Sequence, residues 1–177
     1  LIPGQGQIQG GSTITQQVIK NSVLTTDRTY TRKIKEWILS IKLEKVLTKD
    51  QILNTYLNES PYGGSIYGVE EASKTFFGKS SKDVTLAESA YIAAIPQAPT
   101  FFSPYGANKA RLDLRQKLVL QKMKEYNFIT EEEYQVALKE KVVFLQKNTT
   151  GIRAPHFALY VKDYLVQKYG EDVVENG

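Results

Sequence analysis

Apolar residues recur every three or four positions along most of the chain, a helical pattern. From Ser12 the spacing of Ile14, Val18 and Ile19, followed by Val23 and Leu24, predicts a first helix. A longer helix is predicted from about Arg28 to Leu47. In it Ile34, Trp37, Ile38 and Ile41 form one stripe, with Leu39, Leu43 and Val46 on the other side. A helix apolar most of the way round is expected to be central. Three further starts carry a capping box, in which a hydroxyl and a glutamate or glutamine satisfy the first turn. They are Thr48 with Gln51, Thr85 with Glu88 and Thr130 with Glu133.

Breaks in the pattern divide these elements. Ser60-Pro61-Tyr62-Gly63-Gly64 interrupts the chain, and Tyr67 to Phe77 reads as a helix stopped by Gly78. Pro96, Pro99 and Pro104 mark an extended loop, and a basic helix follows from about Asn108 to Tyr126. After the short run Val142-Val143 comes a polar link, residues 147–151, then a last helix from near Pro155. Its Phe157, Tyr160, Val161, Tyr164 and Leu165 share one face. The first eleven residues, rich in Gly and Gln, read as a loop. With no long alternating run and no internal repeat, the fold class is mostly α.

Composition narrows the chemistry. At 177 residues the chain is long enough to hide roughly 70% of its unfolded surface in a core. It has no Cys, which excludes thiolate nucleophiles, disulfides and Cys-ligated metals, and only one His, His156. A net charge of +4 and a pI near 9.1 suit an anionic substrate or membrane surface. No apolar run approaches the ~18 residues a membrane span needs. Leu1-Ile2-Pro3-Gly4 does not read as a natural start, and the chain is taken as a fragment.

Two stretches invite a functional reading. Gly10 to Gln17 (GGSTITQQ) opens a helix with two glycines and three hydroxyls, either a plain Ser12 cap or a site for an anion at a positive helix end. Neighbouring amides face different ways on a helix, so at least one of Gln16 and Gln17 is expected to have a specific partner. Lys20, Arg28, Arg32, Lys33 and Lys35 surround Glu36. That group reads either as an exposed helical salt bridge or as a half-buried carboxylate held among cations beside a phosphate pocket.

The order of these motifs resembles the peptidoglycan glycosyltransferase domain, glycosyltransferase family 51, of class A penicillin-binding proteins and monofunctional transglycosylases. The resemblance rests on GGSTITQQ, then RKIKE (Arg32 to Glu36), KDQILNTYLN (Lys49 to Asn58), YGVEEASKTFFGK and LAESAYIAAIPQAPTFFSP, and it covers essentially the whole chain. Arg115 to Leu120 resembles a fifth motif, with Gln116 in place of a second Arg. The family's first motif, which carries the general-base glutamate, has no counterpart here. These residues alone are therefore expected to be inactive.

The resemblance implies a lysozyme-like, mostly helical fold with a mobile small lobe that dips into the membrane. It implies polymerisation of lipid II into glycan strands with loss of polyprenyl diphosphate, at the outer face of the cytoplasmic membrane. By the same resemblance Glu36 and Lys33 are catalytic. Ser12, Thr13, Gln16, Gln17, Lys20, Arg28, Arg32, Tyr56 and Asn58 bind substrate, with Lys20 and Arg28 on the donor diphosphate. No cofactor is fixed, and a divalent metal, Mg or Mn, is left open. Expected partners are lipid II, the growing strand, the membrane and other cell-wall synthesis proteins, with no nucleic acid. Residues 1–146 would form the glycosyltransferase domain, and 147–177 a linker and helix toward a transpeptidase domain. His156 reads as structural. No Ser-x-x-Lys or Lys-Thr-Gly signature is present. Two other classes compete. A lysozyme-like hydrolase has no use for a diphosphate-binding cluster, and a basic membrane-surface module gives no reason for GGSTITQQ.

Overall fold

The computed structural model describes residues 12–22, 30–146, 155–170 and 173–174. The predictions for Val23, Leu24, Arg28 and the opening Gly/Gln stretch lie outside the described residues, as does the side chain of His156. The chain divides into two compact units, Leu1–Leu145 and Gln146–Gly177. The first holds helices α1 (Ile14–Ser22), α2 (Tyr30–Val46), α3 (Lys49–Glu59), α4 (Val69–Phe77), α5 (Leu86–Ala94), α6 (Lys109–Glu125) and α7 (Glu131–Lys139). The second holds α8 (Pro155–Tyr169), where Lys168 lies over the rings of Tyr164 and Tyr169.

All three predicted capping boxes form: Thr48 with Gln51, Thr85 with Glu88 and Thr130 with Glu133 exchange their bonds at the starts of α3, α5 and α7. The break after α3 differs from expectation. It is a short antiparallel ribbon, β1 (Pro61–Gly63) paired with β2 (Ile66–Tyr67). Gly63 and Gly64, both at positive φ, let the chain reverse in so short a span. Tyr67 belongs to β2, so α4 begins two residues later than predicted. Gly68 sits between them at φ 81°, and a Cβ there would lie 2.9 Å from the Asn58 carbonyl oxygen. Only glycine lets the end of α3 and the start of α4 meet this closely.

Small residues set the packing of the main core. Ala87, Ala90 and Ala94 are buried on α5, and this helix packs against the α6 face carrying Leu112, Gln116 and Leu120. Gln116, at the position where the fifth motif carries a second Arg, is therefore buried on the inner face of α6. Arg115 beside it donates from Nε to the Ala94 carbonyl at 3.0 Å and lies over the Phe102 ring. A second cluster gathers Tyr62, Phe76, Phe77, Ile92, Ile95 and Phe102, with Phe144 packed against it. Val142 and Val143 form no strand; Leu145 N–H donates to the Phe76 carbonyl at 2.8 Å and holds this segment on α4.

Glu70 of α4 fastens the 3-10 turn Ser81–Asp83, accepting from the Ser81 amide, the Ser81 hydroxyl and the Ser80 hydroxyl. The bonds from Ser81, with Lys74 alongside, lower its pKa from 4.5 to about 2. A carboxylate whose folded pKa is depressed stabilises the fold above its unfolded value and loses that contribution as pH falls through the folded one. Melting temperature should therefore fall between about pH 4.5 and 2, and Glu70→Gln should flatten that part of the profile. Parallel wild-type and variant slopes would refute the assignment.

Helix α2 departs from the sequence reading. Its apolar stripe is not central: Ile34, Trp37, Ile38 and Ile41 are all exposed, Trp37 by 60%. The buried positions are Glu36 and Ser40, on the side where α1 packs. Hydrophobic periodicity assigns the inner face to the apolar stripe, but here polar residues satisfied within α2 take that place, Glu36 by Arg32 and Lys33 and Ser40 by the Glu36 carbonyl.

Candidate active site

Helix α1 starts differently from a plain Ser12 cap. Thr13 is the capping residue: its hydroxyl accepts from the Gln16 amide at 3.2 Å, and Gln16 Oε1 accepts from the Thr13 amide at 3.3 Å. Gln17 Nε2 donates to the Ser12 carbonyl at 3.3 Å, so both glutamines have partners at this turn. Because Thr13 caps the helix, the Ser12 hydroxyl is left for another role. It accepts from Lys33 Nζ on α2 at 2.8 Å.

Lys33 also donates to Glu36 Oε2 at 2.9 Å, while Arg32 Nη1 donates to Glu36 Oε1 at 2.6 Å. Both pairs follow from helical spacing, i to i+3 and i to i+4. Glu36 is only 2% exposed. The exposed-salt-bridge reading therefore fails, and the carboxylate is buried more deeply than the helical wheel suggests. Burying a carboxylate is costly unless each oxygen is bonded, and here each meets a cation. Lys33 itself remains about half exposed, at the surface end of the cluster.

The other predicted residues are placed less centrally. Lys20 is exposed in the last turn of α1, and Arg28 lies outside the described residues. Tyr56, half buried on α3, interacts with Tyr62 and Arg115. Asn58 is exposed near the end of α3 and donates from Nδ2 back to the Asn54 carbonyl at 2.8 Å. The structure thus joins Ser12, Lys33, Arg32 and Glu36, with Thr13, Gln16 and Gln17 at the same turn, while Tyr56 lies near Tyr62 and Arg115 and Asn58 bonds back to Asn54. Among the described residues no group of three acidic or His side chains could hold a metal. Both Glu36 oxygens are also engaged by cations. The cluster does not fit a divalent ion, and no step below uses one.

Thr15, the third hydroxyl of the GGSTITQQ stretch, and Glu44, which lies outside the motifs, join α1 to α2. Thr15, buried at 4% exposure, donates from its hydroxyl to Glu44 Oε1 at 2.5 Å. Glu44 Oε2 pairs with Lys49 at 3.0 Å. The Thr15 bond, then Lys49, holds the Glu44 carboxyl below its usual pKa. The available signal was spacing on α2, where Glu44 lies eleven residues after Lys33 and so shares its face.

Residues 2–124 match the Transglycosylase family, and the chain belongs to it. It is 42% identical over 168 residues to penicillin-binding protein 1A of Clostridium tetani, a match covering 92% of this chain and 20% of that protein. Against penicillin-binding protein 1A of Pseudomonas aeruginosa it is 39% identical, covering 97% and 21%. The crystal structure of penicillin-binding protein 1A from Haemophilus influenzae aligns with a TM-score of 0.53 at 29% identity, covering 91% of this chain and 20% of that one. The fold is the mostly α, lysozyme-like one that the motifs implied. The chain spans about a fifth of the length of these relatives.

Proposed function

We propose that this domain polymerises lipid II into glycan strands, releasing polyprenyl diphosphate, for bacterial cell-wall synthesis. The observation that carries this reading is the buried Glu36 between Arg32 and Lys33, with Lys33 also bonded to Ser12 at the start of α1. In such a transfer the acceptor 4-hydroxyl attacks the anomeric carbon, the bond to the diphosphate breaks, and the proton passes to a base. Charge grows on the departing diphosphate, so cations fixed beside it lower the barrier. The Lys33 ammonium has three N–H donors; Ser12 and Glu36 use two, leaving one for a phosphate oxygen. Glu36 holds Arg32 and Lys33 in place before substrate arrives, and Lys20 and Arg28 complete the diphosphate site in this reading. Family membership favours a transferase over the hydrolase and the surface module.

The general base belongs to the first motif, which has no counterpart in these residues, so residues 1–177 alone are expected not to polymerise. The division into a domain over 1–146 and a linker with its helix over 147–177 is part of the same proposal. So are binding of the growing strand and contact with other cell-wall synthesis proteins. The exposed face Ile34, Trp37, Ile38 and Ile41, with Lys35, Lys42 and Lys45 on the same helix, suits the outer leaflet of the cytoplasmic membrane. The described helices include none long and apolar enough to cross it. Polymerisation of lipid II by the full-length protein tests the proposal. Lys33→Ala should lower the rate about a hundredfold, and an unchanged rate would remove the assignment.

A further inference from the structure

We infer that Glu44 is a positioning residue for the Ser12–Lys33–Glu36 cluster, acting through the hydroxyl of Thr15. The inference rests on the polymerase reading above and extends it to a residue outside the motifs.

Two polar bonds among the described residues tie the start of α1 to α2: Lys33 to Ser12 at 2.8 Å, and Thr15 to Glu44 at 2.5 Å. Lys33 and Glu44 are eleven apart on one face of α2, while Ser12 precedes the Thr13 cap and Thr15 lies in the first turn of α1. Packing against α2 and α3 holds the body of α1, and the Thr15–Glu44 bond sets the position of its first turn. The two contacts differ in burial. Lys33 is about half exposed, whereas Thr15 is buried, so its hydroxyl depends on Glu44, whose own side chain is 39% exposed. The Thr15–Glu44 bond is therefore the anchor, and the Ser12–Lys33 bond is the part that must be placed. Lys49, at the start of α3, reaches the other oxygen of Glu44 from an exposed position and contributes little. If the anchor is lost, the first turn of α1 can shift, Ser12 leaves Lys33, and the ammonium is no longer aimed at the substrate.

Full-length protein carrying Thr15→Val, Thr15→Ser, Glu44→Ala, Lys49→Ala or the Thr15→Val/Glu44→Ala pair tests this, with lipid II as substrate. Thr15→Val and Glu44→Ala should each lower kcat about tenfold with KM within about twofold. Thr15→Ser should stay close to wild type, and so should Lys49→Ala. The double variant should be no slower than either single one, because both remove the same bond. A readout independent of activity is labelling of Lys33 by an amine-acylating reagent, followed by mass spectrometry. Thr15→Val should accelerate it several-fold, because the ammonium is released from Ser12. The inference is overturned by wild-type kcat in Thr15→Val and Glu44→Ala, by additive losses in the pair, by Thr15→Ser as slow as Thr15→Val, or by unchanged labelling. A wild-type protein that forms no glycan refutes the polymerase reading instead, and the labelling arm still decides whether the Thr15–Glu44 bond holds Lys33.

Discussion

Glu36→Gln should cut lipid II polymerisation by the full-length protein about a thousandfold, the upper end of what losing preorganised electrostatic stabilisation costs, because it releases both Arg32 and Lys33. The substitution is nearly isosteric, so packing around this buried position is kept. What changes is charge: Arg32 and Lys33, bonded to Glu36 at 2.6 and 2.9 Å, lose the anion that fixes them. A Gln offers one acceptor and one donor group in place of two acceptors, so its NH2 faces a cation and pushes it away. Lys33 can turn to water, since its side chain is half exposed, but Arg32 is only 18% exposed, so removing the buried anion should cost about 3 kcal/mol. A loss of kcat far beyond what the unfolded fraction explains is the expected pattern. A variant that polymerises at the wild-type rate would show that Glu36 only supports the fold.

Phe76→Ala should cost about 3–5 kcal/mol, the usual range for truncating a buried aromatic. Phe76 is 1% exposed and sits within about 6 Å of Phe77, Tyr105 and Phe144. Those rings come from α4, the proline-rich loop and the segment after α7, so no single neighbour can collapse into the space left behind. Its carbonyl also holds Leu145, which ties that last segment to α4. Domains commonly have about 5–15 kcal/mol in total, so this change alone brings the fold close to its limit. Urea unfolding would measure it, and a loss below about 1 kcal/mol would contradict the packing described here.

Local chemistry was readable in the sequence wherever the interacting groups are near neighbours. The three capping boxes formed as written because residue and partner lie three apart. Arg32, Lys33 and Glu36 met for the same reason. The bonds Ser12–Lys33 and Thr15–Glu44 span 21 and 29 residues, and nothing local encodes them. Ser12 is the more favoured cap by residue type, and it is the capping-box spacing from Thr13 to Gln16 that moves the cap one residue on. The face of α2 was misassigned because periodicity reports which side is apolar, not what covers it. The residues on the side toward α1 are Glu36 and Ser40, with Ile34, Trp37 and Ile38 outward on the face proposed to meet the membrane.

A structure of the full-length protein with a polyprenyl diphosphate analogue bound would test the central claim most directly. The account predicts a phosphate oxygen within hydrogen-bonding distance of Lys33 Nζ, beside the Ser12 hydroxyl, with Glu36 still paired to Arg32. A diphosphate bound elsewhere, with Lys33 unmoved between Ser12 and Glu36, would contradict it.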